Sequence, residues 1–269
     1  MRREVAWMVT GAAMLLLAGC GSVPRSFHPA SPIPPDEVSH ALFDDVLRSA
    51  VQDGAVDYPA LKRDRRLAEY LAQLGRIDPV GLPTRQDRLA FWINAYNAFA
   101  IQGILDGYSP GTLAGRYRYF IGRDYRVGGE RINLYDLERS LLIPDFREPR
   151  VHFALVCASR SCPKLRAEAY TASRLEEQLN EGARTFINDP ARNRFDRERK
   201  VAVLSMIFQW FEEDFAAEAG SLQRYVARYV ADPDLAREII TVPYAIEFLG
   251  YDWRLNGPPP PEDNVAGRP

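Results

Sequence analysis

Leu89-Ala90-Phe91-Trp92-Ile93-Asn94-Ala95-Tyr96-Asn97-Ala98-Phe99-Ala100-Ile101 is the stretch whose reading decides the fold. Thr84 can cap a helix running from Gln86 to about Leu105, and from Leu89 onward apolar residues fall on nearly every face of it. A surface helix keeps one polar side for water. This one does not, so it is predicted to run through the middle of the domain. Asn94 and Asn97 lie three residues apart and share a face, so two carboxamides enter the interior together and each needs a partner there. They can clamp the backbone of a loop. The other use of buried amides is to orient a catalytic ring or to polarise a substrate carbonyl, as in an oxyanion hole.

Helical patterns precede this segment. Val38, Leu42, Val46 and Leu47 share a face in a helix from Asp36 that Gly54 ends, and Pro59 to Leu74 reads as a second helix. Strand signals follow it. Tyr125 to Val127 and Arg131 to Leu134 flank Gly128-Gly129, a dipeptide suited to the positive φ angles of a hairpin turn. Tyr135 to Leu142 is a short helix, and Val151 to Cys157 is a compact apolar run consistent with a buried central strand. Beyond it lie a helix over Leu175 to Ile187, a hairpin over Phe195 to Leu204 and an aromatic helix over Ser205 to Phe215. Helices near Leu222 to Val230 and Pro233 to Ile240 and a strand around Ala245 to Tyr251 complete the pattern. The expectation is α+β: a single helix-rich domain, residues 36–256, around a small β-sheet with a buried central helix.

The ends differ in kind. Arg2 and Arg3 precede an apolar run from Ala6 to Leu17, shorter than the roughly 18 residues a membrane-spanning helix needs, and Leu17-Ala18-Gly19-Cys20 follows. This reads as a bacterial lipoprotein signal over residues 1–19. The mature chain would begin at Cys20 with its thiol carrying lipid (palmitate-type acylation), which predicts a cell-envelope protein anchored to a membrane. Gly21 stands where an aspartate would favour the inner membrane, so the outer membrane, facing the periplasm, is the expected address. Residues 20–35, rich in Pro and Ser, read as a lipidated tether, and residues 257–269, with Pro258 to Pro261 in a row, as a disordered Pro-rich tail.

Charge narrows the function. The chain carries a formal net charge of -2, and removing Arg2, Arg3 and Glu4 with the leader leaves about -3, which argues against nucleic acid as a partner. The basic clusters at Lys62 to Arg66 and Arg192 to Lys200 are interrupted by acids and read as solvated surface. Phosphate-loop and dinucleotide motifs are absent, and nothing calls for a cofactor.

The richest chemistry sits in His152-Phe-Ala-Leu-Val-Cys157-Ala-Ser159-Arg-Ser161-Cys162-Pro163. Of the three histidines, His28 lies in the tether and His40 on a surface helix, so an imidazole base would be His152. On a regular strand His152 and Cys157 would point to opposite faces, so a partner for the ring would have to return from the loop. Two readings stand open. Cys157 or Cys162 could act as a nucleophile activated by His152, with Glu138 orienting the ring and Asn94 or Asn97 stabilising charge, in a hydrolase or transferase of papain-like or transglutaminase-like character. Alternatively, Cys157 and Cys162 form a structural disulfide, as an oxidising compartment permits. In that case an aromatic surface around Trp210, Phe211 and Trp253 would bind an envelope protein or polymer. A serine mechanism through Ser159 or Ser161 lacks a Gly-x-Ser-x-Gly elbow. Two cysteines and one histidine at no familiar spacing do not make a metal site.

Phe91 to Ala98, His152 to Pro163 and Tyr251-Asp252-Trp253-Arg254-Leu255-Asn256 resemble, in order, the signature blocks of the domain of unknown function 547 family. The resemblance implies no assigned activity and hands over no catalytic residue. Some eukaryotic members carry the domain beside a leucine-zipper or glutaredoxin-like module, a hint of thiol chemistry. Members differ at the position matching Cys162, which implies His152, Cys157 and the loop hydroxyls as the shared element.

Overall fold

Residues 27–261 are described by the computed structural model, so the expected leader, Cys20 and residues 262–269 of the expected tail lie outside the described residues. In chain order the elements are α1 (Ala41–Ala50), β1 (Val51–Gln52), β2 (Ala55–Val56), α2 (Tyr58–Leu61), α3 (Arg65–Leu74), α4 (Arg85–Leu105), α5 (Leu113–Phe120), β3 (Tyr125–Val127), β4 (Glu130–Ile132) and α6 (Leu134–Asp136). There follow α7 (Ile143–Phe146), α8 (Leu175–Ile187), β5 (Arg194–Asp196), β6 (Val201–Leu204), α9 (Met206–Trp210), α10 (Glu212–Ala219), α11 (Leu222–Ala227), α12 (Pro233–Thr241) and β7 (Ala245–Phe248). The fold is α+β, and among the described residues the strands are confined to two short hairpins and one three-stranded sheet.

Helix α4 is the axle. Thr84 and Asp87 form a reciprocal capping box, the Thr84 hydroxyl accepting from Asp87 N at 3.0 Å and the Asp87 carboxylate from Thr84 N at 3.1 Å. From Leu89 to Leu105 every residue except Gln102 is buried. Gly103 lets its neighbours close in, since a Cβ there would stand 2.6 Å from the Tyr125 hydroxyl and 2.9 Å from the Tyr119 ring.

Two apolar clusters result. The first gathers α1, α3, α4, α5 and the β3–β4 hairpin around Phe43, Tyr70, Phe91, Phe99 and Tyr119. The second is aromatic, with Phe153, Phe186, Phe208, Phe215 and Tyr225 packed between α8, α9, α10 and α11. The β5–β6–β7 sheet flanks it. Strands β5 and β6 pair antiparallel, and β6 pairs parallel with β7 from Val201 opposite Ala245 to Leu204 opposite Phe248.

Several expectations are corrected. Val151 to Cys157 is not a strand: Pro149–Phe153 forms a 3-10 turn and the chain then runs on without a strand partner. Its apolar run is buried, and burial alone does not distinguish a strand from a helical turn. The helix expected from Asp36 starts at Ala41, after a 3-10 turn at Pro35–Glu37. The Pro59 to Leu74 helix is broken, because Asp64 caps α3 afresh through Arg66 N. The Ser205 to Phe215 helix breaks at Phe211.

The described part of the expected tether, residues 27–35, is packed on the domain rather than free of it. Phe27 is buried 5.6 Å from Trp92, and Ile33 N donates to the Arg76 carbonyl at 2.9 Å. Gly128, at φ 59°, makes room for it: a Cβ at this glycine would fall 2.8 Å from the Phe27 ring.

Candidate functional site

The buried carboxamides of α4 have definite partners. Asn94 Nδ2 donates to the Tyr170 carbonyl at 2.8 Å and its Oδ1 accepts from Tyr170 N at 2.9 Å. Asn97 Nδ2 donates to the Ala154 carbonyl at 2.9 Å and its Oδ1 accepts from Val156 N at 2.9 Å. Each amide thus imitates a neighbouring strand, satisfying one N–H and one C=O of a buried irregular segment. Neither is hydrogen-bonded to His152.

Held by Asn97, the chain reaches the Cys157–Cys162 disulfide, whose Cα atoms are 6.2 Å apart. The loop turns at Ala158, which is buried with φ 61°, a left-handed conformation costing about 1–2 kcal/mol for a residue with a Cβ. The C-terminal segment then latches onto it. Arg160 N donates to the Arg254 carbonyl at 2.8 Å, Ser161 N to the Asp252 carbonyl at 3.2 Å, and Asn256 N to the Ala158 carbonyl at 3.0 Å. Asp252 N donates to Ser161 Oγ at 2.8 Å, and the Tyr58 hydroxyl donates to Asn256 Oδ1 at 2.8 Å. The three blocks quoted for the resemblance therefore meet at one place.

Tyr251 stands over the bridge. Its hydroxyl lies 3.1 Å from Ser159 Oγ, 3.3 Å from Cys157 Sγ and 3.2 Å from Cys162 Sγ. Burial, reinforced by the Glu138 charge, raises its pKa, so the phenol stays protonated. Tyr251 also packs between two half-buried indoles, 4.7 Å from Trp210 and 4.5 Å from Trp253, which are themselves 5.9 Å apart. The Arg116 guanidinium covers Trp253 at 4.7 Å.

Glu138 does not serve His152. It lies on a π-helical turn, Leu137–Leu142, and accepts from the Tyr96 hydroxyl at 3.2 Å. Burial foremost, and Glu138 next, push the Tyr96 pKa upward. The partner of His152 is instead Asp214, 2.8 Å from Nε2. The imidazole side chain is 2 % exposed and the carboxylate 33 %. Phe211 lies tilted by 33° against the ring at 3.7 Å between centroids, and Phe215 meets it edge-on at 5.4 Å. The Arg139 guanidinium lies on Phe211 at 4.1 Å from the ring centre, so Phe211 is buried and is not part of the expected aromatic surface. No hydrogen bond joins His152 to Cys157, Cys162, Ser159 or Ser161, whose side chains find their partners in the loop and the latch, while the Cys162 carbonyl accepts from the Arg192 guanidinium at 2.7 Å.

Sequence reasoning missed Asp214. It follows Glu212 and Glu213 in the first turn of α10, where an acidic run reads as solvated helix start. Its position just after the aromatic pair Trp210-Phe211 is the only signal that could have found it.

A separate cleft of about 540 Å³ lies between α8, the 163–168 segment and the β1–β2 turn. Its walls are charged and largely self-paired: Arg166 reaches Glu168 and Glu181, Arg174 reaches Glu168 and Glu177, and Lys164 reaches Asp53. Burial raises the Glu168 pKa, but hydrogen bonds from Arg166, Gln178 and Arg174 outweigh it and hold the group at about 2. None of the candidate residues read from the sequence lines this cleft. Among the described residues no group of three His, Cys, Asp or Glu is placed to hold a metal, and no helix is long and apolar enough to cross a membrane.

Neither a curated protein nor a solved structure matches the chain. Residues 80–187, which run from the approach to α4 through the disulfide loop to the end of α8, match the family described as protein of unknown function, DUF547.

Proposed function

We propose that this is a lipid-anchored envelope protein whose domain binds a partner protein or polymer and carries out no thiol chemistry. One observation carries the reading: Cys157 and Cys162 are bonded to each other while His152 is bonded to Asp214. A nucleophilic thiolate needs a free sulfur beside a base, and here each is committed elsewhere. The contact surface in this reading is the half-buried set Trp210, Tyr251 and Trp253, braced from below by the disulfide. Anchoring rests on the Leu17 to Cys20 motif and its apolar leader.

Alkylation of the native mature protein with mass mapping, before and after mild reductant, tests it. Both cysteines are expected to label only after reduction. Labelling of either one without reductant overturns the reading.

The second reading, a Cys-His hydrolase or transferase, has one observation in its favour: Asp214 orients His152 as the carboxylate of a triad orients its imidazole. It requires that reduction bring a sulfur under the influence of that ring. If the reduced His152→Ala protein alkylates as fast as the reduced wild type, the ring activates neither thiol and this reading fails.

A further inference from the structure

Phe27 fixes where the chain joins the domain. Its ring is buried against Trp92 and Gly128, and the residues after it cross the β3–β4 turn and the end of α3. Gly129 and Gly128 donate their N–H groups to the Gly75 and Leu74 carbonyls at 3.0 and 2.9 Å, while Arg76 Nε donates to the Ser31 carbonyl at 2.9 Å. Cys20 and Phe27 are seven residues apart. Fully extended, such a leash covers at most about 25 Å. A domain of about 235 residues has a radius of gyration near 17 Å, equivalent to a sphere about 45 Å across. The leash is thus shorter than the domain is wide, and a lipid on Cys20 would hold the side bearing Phe27 toward the bilayer.

That side has a distinctive surface. Arg126 of β3 stands directly opposite Arg131 of β4. Both are exposed, with no acid partner among the described residues. Like charges facing each other across a hairpin are unfavourable unless an anion is supplied from outside. Gly75 brings α3 close, its virtual Cβ 4.0 Å from the Arg126 Cβ, and the exposed Arg76 follows it. Val80, 64 % exposed, protrudes from the turn after α3, where Asp78 accepts its N–H at 3.0 Å. Exposed guanidiniums together with a protruding aliphatic side chain suit a headgroup layer.

We propose that Arg76, Val80, Arg126 and Arg131 form the face that this domain lays on the anionic phospholipid headgroups of its own leaflet. The proposal rests on the lipid-anchor reading and goes beyond it by fixing the orientation of the domain. The test uses the full mature chain, produced with its leader and extracted from membranes, with the mass of its N-terminal peptide measured first. A peptide without acyl chains on Cys20 overturns the anchor and the face together. On acylated protein, Val80→Cys and Ile240→Cys variants carrying an environment-sensitive fluorophore are placed in phosphatidylglycerol-containing vesicles with a headgroup spin label. Ile240 is the comparison site because it is 52 % exposed on α12, whose Leu235 packs on the second cluster. The expected result is loss of most of the fluorescence at position 80 and none at position 240, with the loss at position 80 reduced in the Arg126→Gln, Arg131→Gln background. Equal quenching at both positions, or none at position 80, overturns the face while leaving the anchor intact.

Discussion

Asn97 binds both ends of one carboxamide to a single buried loop, and the hydrogen-bond pattern leaves no substitute for it. Asn97→Ala strands the Val156 N–H and the Ala154 carbonyl away from water. The expected cost is about 2–4 kcal/mol, read as a lower urea midpoint at unchanged slope. His40 offers a pH signature. Its Nδ1 lies 2.8 Å from the Tyr70 hydroxyl and its ring meets Phe91, and burial lowers its pKa to about 4 although Asp87 pulls the other way. The unfolded chain binds this proton near pH 6.5, so stability is full above 6.5 and falls as the pH drops toward 4, by about 3 kcal/mol. His40→Gln is expected to flatten that part of the stability profile, as followed by urea titrations between pH 7 and 4. A profile of the same slope in the variant would assign the proton to another group.

Among the elements, α4 was fully legible because an all-apolar helix with a cap at Thr84 depends only on neighbours in sequence. The hairpin at Gly128-Gly129 was legible for the same reason. The 149–162 segment was not. Its shape depends on Asn97 from α4 and on the 251–256 latch, residues far away in sequence, and no local pattern encodes either. The Asp214 partner of His152, 62 positions away, was hidden likewise. Closing the short loop between Cys157 and Cys162 restricts few residues, so replacing both by alanine is expected to cost only about 2 kcal/mol in a thermal or urea unfolding series. A loss far above that would mean that the bridge also holds Tyr251 and its indole neighbours in place, which near-ultraviolet dichroism would register.

For the molecule as a whole, the 3-10 turn Pro149–Phe153 joins the two apolar clusters: Val151 and Ala154 belong to the first, Phe153 to the second. Neither cluster can loosen without disturbing that turn. Unfolding followed by tryptophan fluorescence and by far-ultraviolet dichroism is therefore expected to give one coincident transition, and two separated midpoints would show the clusters to be independent units.

The bond between Tyr58 and Asn256 joins positions 198 residues apart, and Val56 N donates to the same asparagine. During vectorial synthesis the ribosome must have released the chain through Asn256 before this seam can zip shut. Until then the Cys157 to Cys162 region is without the companion that covers it, so thiol oxidation there can precede final closure. A nascent chain stalled ahead of Tyr251 would keep both sulfurs open to oxidoreductases.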